Sequence, residues 1–208
     1  MLTTSTPPTL VTLDFWADLS CPWCYVGSRR LALAVAHEAD GSVLTRWRSF
    51  QLQPGVSPAS APLDEASVAP VLAAGREVGI LFRRAALDRQ PDSALAQRAV
   101  LLYDGEPRQR AVSAALHAAH FERGLDLSRL DTVVVTTANA SGETEDRVRQ
   151  RLRAGEGETE LAADLLEARL IGVTAAPTYV VAGRVAVQGA QEVAVLRALI
   201  AEGRRRAG

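Results

Sequence analysis

The only two cysteines of the 208-residue sequence, Cys21 and Cys24, are separated by two residues and lie between two patterned segments. Residues 9–16 are apolar and predict a strand, and Tyr25–Ala39 has the spacing of an amphipathic helix. A Cys-x-x-Cys pair at such a junction indicates redox chemistry. Unpaired N–H groups and the helix dipole at a helix start favour the nucleophilic thiolate. We therefore predict that Cys21 is the nucleophile, that Cys24 resolves its mixed disulfide, and that Pro22 occupies the first turn.

Composition excludes several other classes of function. The formal net charge of −1 predicts neither a nucleic-acid partner nor an anionic membrane surface. All 23 basic residues are arginine, which excludes lysine Schiff bases and Walker-type phosphate loops. Met1–Pro8 does not resemble a secretory signal, and no run of about 18 apolar residues occurs. We expect a cytoplasmic protein, in which a structural disulfide would be unusual.

The order of the remaining segments predicts the architecture. Val43–Phe50 is rich in β-branched and aromatic residues and predicts a second strand, which gives a β-α-β opening. The proline-rich residues 53–66 predict a loop and a domain boundary. Helices are then predicted over Val68–Ile80, Ser93–Tyr103, Pro107–Phe121, Ser128–Ala138, Thr144–Ala154 and Glu158–Leu170. The end of the chain predicts a hairpin of Thr178–Val181 and Arg184–Gln188 around Ala182-Gly183, and then a helix over Gln191–Arg204.

These elements together predict an α/β protein with a thioredoxin-like fold, β-α-β plus β-β-α, and a large all-helical insertion. Residues 1–62 and 172–208 would form the thioredoxin-like domain, and residues 63–171 the helical insertion domain. We expect the insertion to cap the dithiol, because it joins the two halves of the fold.

Four segments carry a resemblance to a known family: Asp18–Tyr25, Trp47–Pro54, Gly172–Tyr179 and Gly189–Gln191. They resemble the DsbA-like thioredoxin-fold thiol–disulfide oxidoreductases, and within them the cytosolic FrnE-like branch. The resemblance implies that Pro177 follows a cis peptide bond and faces the dithiol. It also implies that the backbone of Ala176 pairs with a substrate peptide as an added strand.

The sequence departs from that family at three positions. Trp23 stands where periplasmic DsbA-type oxidases have histidine, which implies a more reducing cysteine pair. Gln97 stands where the family pattern usually has histidine, and Ala176 stands where valine or threonine is commoner. The last change implies a slightly more open substrate groove.

Other candidate residues have more than one interpretation each. Asp18 modulates the dithiol or accepts the proton of Cys24, with Asp14 as its rival, or is a solvated carboxylate. Trp23 and Tyr25 form an apolar substrate lip or only pack against neighbouring side chains.

His117 and His120 are interpreted as surface or interhelical residues. Because zinc needs about four ligands, we predict no metal site at the cysteines.

The predicted function is thiol–disulfide oxidoreduction, in the reductase or isomerase direction that a cytosolic redox poise favours. The substrate would be a disulfide-containing protein or a small-molecule thiol or disulfide. No cofactor is expected. Glutathione or a thioredoxin-type thiol would be the electron partner, and the protein would be a monomer or a homodimer. One alternative is a glutathione-dependent isomerase or transferase of a small aromatic substrate, although such relatives commonly carry serine at the Cys21 position. Another is a redox-sensing or chaperone-like binding protein.

Overall fold

A four-stranded mixed sheet holds the two ends of the chain together in the computed structural model, which describes residues 10–39, 41–54, 63–103, 105 and 107–207. Strands β1 (Val11–Ala17) and β2 (Val43–Ser49) are parallel, whereas β3 (Thr178–Val181) is antiparallel to β1 and to β4 (Val185–Gln188). The strand order is β2-β1-β3-β4. Strand β1 is thus central, and it ends four residues before Cys21.

Helices account for every described element between β2 and β3, in agreement with the predicted insertion. The helices are α1 (Pro22–Ala36), α2 (Glu65–Glu77), α3 (Arg84–Leu87), α4 (Ala94–Leu101), α5 (Arg108–Phe121), α6 (Leu130–Ser141), α7 (Glu145–Arg153), α8 (Glu158–Leu170) and α9 (Val193–Ala207). The thioredoxin-like fold with its helical insertion is therefore confirmed.

The insertion shares a hydrophobic core with the sheet. One cluster of buried side chains joins Leu13 and Val181 of the sheet and Ile200 of α9 to Val100 and Leu116 of the insertion. The proposed domain boundary near residue 62 falls on residues 55–62, outside the described part of the chain. The division into two domains stays a prediction.

Several helix boundaries differ from those predicted. Helix α1 ends at Ala36 with His37 as its C-cap, so the predicted end at Ala39 is wrong. Helix α2 starts at Glu65, because the Asp64 carboxylate caps it by accepting the Ser67 N–H at 2.7 Å. Pro70 consequently lies inside this helix. The Asp64 cap sets the start of α2, which apolar periodicity alone does not resolve.

Two shorter features were also predicted incompletely. Helix α3 was missed, since it has four residues and no side-chain cap. The β3–β4 connection has three residues, because Val181 pairs with Val185, and Ala182 adopts a positive φ of 51°. Conversely, the β-branched run after Leu130 is helical as predicted, because Val133 and Thr137 share one buried face of α6.

Candidate active site

Cys21 lies at the N-terminus of α1, where the sequence predicts it. It is the N-cap residue, with φ −95° and ψ 115°, and Pro22 is the first helical residue. The Cys21 Sγ accepts the backbone N–H of Cys24 at 3.3 Å. Both cysteines are free thiols. The sulfur of Cys21 therefore takes the place of an oxygen N-cap and faces the unpaired donors of the helix start.

The two thiols differ in burial. Cys21 retains 4 % exposure and is followed by Trp23, which is 36 % exposed, whereas Cys24 is fully buried. Burial raises the pKa of the Cys24 thiol well above its usual range, and the side-chain hydrogen bond to Cys21 raises it further. Cys24 is thus held as a protonated thiol behind the sulfur that solvent can reach.

Asp18 connects the two cysteines through its backbone. Its N–H points at the Cys24 Sγ at 3.5 Å, and its carbonyl accepts the Cys21 N–H at 3.1 Å. Its buried carboxylate accepts the N–H groups of Ser20 at 2.9 Å and Leu52 at 2.8 Å. Because both carboxylate oxygens accept hydrogen bonds from backbone N–H groups, Asp18 stabilises the loop that leads into the site. It is not the solvated carboxylate of the alternative interpretation.

The rival carboxylate, Asp14, is engaged elsewhere. Its two oxygens accept hydrogen bonds from Arg46 at 2.6 and 2.9 Å. Arg46 lies directly opposite Asp14 in the β1–β2 register. Of the two candidates, Asp18 is the one that contacts the cysteines.

The Ala176–Pro177 segment reaches the dithiol from the other end of the sequence. The peptide bond between these residues is cis. The carbonyl oxygen of Ala176 lies 3.8 Å from the Cys21 Sγ, although 155 residues separate them in sequence. The structure therefore places the cysteine pair and the Ala176–Pro177 segment at one site.

Gly27 makes this approach feasible, and sequence reasoning missed it. A Cβ added at Gly27 would overlap the Tyr179 hydroxyl, closer than van der Waals contact allows, and would lie 3.2 Å from Pro177 Cγ. Tyr179 is fully buried beneath the site, and burial raises its pKa above the usual range. Only glycine leaves space at this turn of α1 for both neighbours.

Tyr25 does not fit the expected substrate lip. Tyr25 is fully buried, and its ring stacks on that of His117 with a centroid distance of 5.0 Å and an interplanar angle of 10°. Its hydroxyl donates to Glu122 and accepts from Arg29 at 3.3 Å. Burial and then the bond to Glu122 raise its pKa to about 12. Tyr25 packs α1 on the insertion, and of these two aromatic residues Trp23 is the one that presents an exposed surface.

His117 is interhelical, and its predicted surface alternative is wrong. The residue is fully buried, and its ring also approaches Phe121 and Trp47 at 6.2 and 5.8 Å between centroids. Neither ring nitrogen has a hydrogen bond of normal geometry. Burial lowers the pKa of His117 to about 3, so the imidazole is neutral at pH 7.

His120 is buried as well, with Nδ1 at 3.1 Å from the Leu125 carbonyl oxygen. Burial lowers its pKa. Within the described ranges, no three side chains of His, Cys, Asp or Glu are grouped to hold a metal ion.

Gln97 ties the insertion to the strand ends above the site. Its Oε1 accepts from the Trp47 indole N–H at 3.0 Å, and its Nε2 donates to the carbonyls of Ala17 at 3.2 Å and Phe50 at 3.0 Å. Sequence reasoning noted its departure from the family pattern but found no role. An amide suits this position because it donates and accepts at once.

Comparison with known proteins agrees with the fold. The DSBA-like thioredoxin domain matches residues 12–201. The chain belongs to this family. Thiol–disulfide oxidoreduction is the activity of the DsbA-like family in the broad sense, and the cysteine pair is present here. No curated protein sequence matches the chain.

Solved structures share the fold at low sequence identity. A "probable DsbA oxidoreductase" from Streptomyces coelicolor has a TM-score of 0.78 at 24 % identity, covering 93 % of this chain and 89 % of its own. A 2-hydroxychromene-2-carboxylate isomerase has a TM-score of 0.74 at 14 % identity, covering 94 % and 97 %. The cytosolic disulfide reductase DsbM of Pseudomonas aeruginosa, solved with GSH, has a TM-score of 0.65 at 20 % identity, covering 94 % and 96 %. Among the described residues, no helix is long and apolar enough to cross a membrane.

Proposed function

We propose that this protein is a thiol–disulfide oxidoreductase of the reductase or isomerase type, in the cytosolic FrnE-like branch of its family. One observation carries the proposal. The Cys21 sulfur lies at the start of α1 and 3.8 Å from the Ala176 carbonyl, with the Cys24 thiol buried behind it. A nucleophile, a resolving thiol and a backbone segment to hold the substrate are the parts that disulfide exchange requires.

In the first step the Cys21 thiolate attacks one sulfur of a substrate disulfide. The substrate S–S bond breaks, a Cys21–substrate disulfide forms, and the other substrate sulfur leaves as a thiolate that takes up a proton. In the second step Cys24 loses its proton and attacks the Cys21 sulfur. The mixed disulfide breaks, the Cys21–Cys24 disulfide forms, and the second substrate sulfur leaves and is protonated. The substrate gains two electrons and two protons. The cysteine pair supplies both electrons, and the two protons balance the one that Cys24 loses and the one that Cys21 lost to solvent when it ionised.

The surrounding residues would orient these steps. The Ala176 backbone would pair with an extended substrate segment beside Pro177, and the exposed Trp23 ring would cover the substrate's apolar side. Asp18 would hold the thiols in position through its backbone bonds to both cysteines. Because the pKa of Cys24 is raised, this thiol waits protonated until a mixed disulfide forms next to it.

Two reduced thiols of the glutathione or thioredoxin class would reduce the Cys21–Cys24 disulfide again, without a further cofactor. A cytoplasmic location and a reducing poise favour this direction. The likeness in fold to a cytosolic disulfide reductase solved with GSH supports the same direction. The substrate would be a disulfide-containing protein or small molecule, and the protein would act as a monomer or homodimer.

Two single variants test the proposal by reduction of insulin disulfides with glutathione as donor. Cys21→Ser should abolish turnover, and Cys24→Ser should accumulate mixed disulfides detectable by mass spectrometry. The equilibrium potential should lie near thioredoxin's value of about −270 mV and not near −120 mV, the value of a strong oxidase. Turnover retained by Cys21→Ser would refute the assignment.

A second candidate is a glutathione-dependent isomerase of a small aromatic substrate. The likeness in fold to the 2-hydroxychromene-2-carboxylate isomerase favours it. The intact cysteine pair is the feature against it. Isomerisation of such a substrate that requires glutathione and survives Cys24→Ser would establish this activity instead.

A further inference from the structure

Arg30 is a buried cation with no part in the chemistry proposed above. It lies on α1, two turns after Cys24, and its residue is 5 % exposed. A buried guanidinium is expensive unless hydrogen-bond acceptors surround it. Its location on the dithiol helix therefore raises the question of what it holds.

The guanidinium joins three separate segments of the chain. Its Nη1 donates to the Ala190 carbonyl at 2.8 Å and lies 2.8 Å from Glu192 Oε1, just before α9. Its Nη2 lies 3.2 Å from Glu77 Oε2 at the end of α2, in the insertion. Both carboxylates are about two-thirds exposed, so the bond to the Ala190 carbonyl is the more shielded of the contacts. The planar fork of arginine suits a connection of this kind, which one ammonium group could not span.

The segment that Arg30 holds also supports Pro177. The N–H of Gly189, the residue before Ala190, donates to the Pro177 carbonyl at 2.8 Å. One covalent step and two hydrogen bonds thus link the guanidinium to the residue beside the dithiol. On the same face of α1, one turn earlier, Gly27 meets Pro177 and Tyr179 by close van der Waals packing.

These two contacts have different consequences. Packing at Gly27 limits how near α1 can come to Pro177, but it does not prevent the two from moving apart or sliding. Hydrogen bonds are directional, so the bond from Arg30 to Ala190 opposes both motions. The distance between the Cys21 sulfur and the Ala176 carbonyl depends on this relative placement.

We propose that Arg30 is a positioning residue, which fixes the dithiol helix against the Ala176–Pro177 segment so that a docked disulfide meets the Cys21 sulfur in line. The inference rests on the proposed function, since it concerns how the substrate of that reaction is presented. Glu77 and Glu192 complete the arrangement by neutralising the buried charge.

The test compares two reactions of the reduced protein. Reduction of a cystine-bridged peptide in a single turnover requires docking on Ala176, whereas alkylation of Cys21 by iodoacetamide does not. Arg30→Gln should lower the second-order rate constant for the peptide by about tenfold to a hundredfold, the scale of a misplacement of about 1 Å. The alkylation rate should stay within about twofold of the wild-type rate, because alkylation does not depend on how a substrate is docked.

Arg205→Gln is the matched control, because Arg205 is exposed and pairs only within α9 with Glu202 among its described contacts. It should leave both rates unchanged. A purely structural role for Arg30 would lower thermal stability without changing the ratio of the two rates. An unchanged ratio in folded Arg30→Gln therefore overturns the proposal.

If Arg30→Gln does not fold, the double variant Glu77→Gln/Glu192→Gln decides. It leaves the buried Arg30 charge without a partner, which should draw the guanidinium toward water and away from the Ala190 carbonyl and so lower the same ratio severalfold, while an unchanged ratio overturns the proposal. Failure of the proposed function has a different result. The wild-type protein would then be alkylated at Cys21 but would not reduce the peptide.

Discussion

The C-terminal half of the chain and the helical insertion both pack on the dithiol helix α1, and they hold it in different ways. Toward the C-terminal half, Gly27 admits Pro177 and Tyr179 to close contact, and Arg30 is bonded to the Ala190 carbonyl. Toward the insertion, α1 presents apolar and aromatic side chains that pack on α2, α5 and one another. Close approach and a hydrogen bond to the backbone characterise the first side, whereas the second side has stacked rings and hydrogen bonds to the exposed Glu77 and to Glu122.

The difference is clearest in the buried polar groups. On the C-terminal side, Nη1 of Arg30 donates to the Ala190 carbonyl, whereas on the insertion side neither ring nitrogen of His117 has a hydrogen bond of normal geometry. Unsatisfied buried groups cost stability, and rings tolerate small shifts in a way that a bonded guanidinium does not. We infer that the C-terminal side sets the geometry of the site and that the insertion side supplies bulk and burial.

The largest expected effect is that of Gly27→Ala. The added methyl group would collide with the Tyr179 hydroxyl and crowd Pro177, which should cost about 3 kcal/mol, the upper end of the range for overpacking. Because the collision also moves α1 away from the Ala176–Pro177 segment, peptide-disulfide reduction should fall with stability. Denaturant unfolding and the single-turnover assay measure the two effects.

Tyr179→Phe supplies both the control and the rescue for this prediction. The Tyr179 hydroxyl is buried without a hydrogen bond, so its removal alone should change stability little. Combined with Gly27→Ala it removes the nearest colliding atom and should restore part of the loss. Equal losses in the single and double variants would mean that the closeness of α1 to β3 is not what limits the site.

The next effect concerns the insertion side and depends on pH. Burial lowers the folded-state pKa of His117 to about 3, from an unfolded value of about 6.5. The unfolded state therefore binds more protons between these values, and folding stability is lost as pH falls below about 6.5. Phenylalanine cannot titrate and suits a site lined by Tyr25 and Phe121. The free energy of unfolding of His117→Phe should thus exceed that of the wild type by an amount that grows as the pH falls, to about 2 kcal/mol or more at pH 5.

Unfolding free energies of both proteins, measured from pH 7.5 to pH 4.5, test this expectation. The neighbouring groups whose charges act on His117 are His120 and Arg29, and both are retained in the variant, so their contributions largely cancel in the difference. Peptide-disulfide reduction at pH 7 should be unchanged, because the imidazole is neutral there. A pH-independent difference would show that His117 is not buried as a neutral base.

The contrast also explains which features the sequence could predict. The strand before the cysteines, the helix after them and the helical insertion follow from local patterns, because periodicity and caps act within a few residues. Arg30 and Gly27 look like ordinary helix residues in sequence, and their roles depend on Ala190 and Tyr179, more than 150 residues away. No local pattern encodes such pairs.

Tyr25 illustrates the same limit on the other side of the helix. Its position next to Cys24 suggested contact with substrate, but the side on which α1 is covered depends on where the insertion packs. His117, which covers it, lies 92 residues further along the chain. Gln97 was noticed only as a departure from a family pattern, and its bonds to two strand ends required the tertiary structure.

The smallest expected effect, that of Tyr25→Phe, separates packing from substrate contact. The variant keeps the ring stacked on His117 and loses the hydroxyl's bond to Glu122, which should cost about 1 kcal/mol. Since the residue is fully buried, kcat and KM for a peptide disulfide should match those of the wild type. Trp23→Ala is the comparison, because this exposed ring beside Cys21 should raise KM without a comparable loss of stability. A raised KM in Tyr25→Phe would instead restore Tyr25 to the substrate surface, and would mean that the insertion side of α1 opens during turnover.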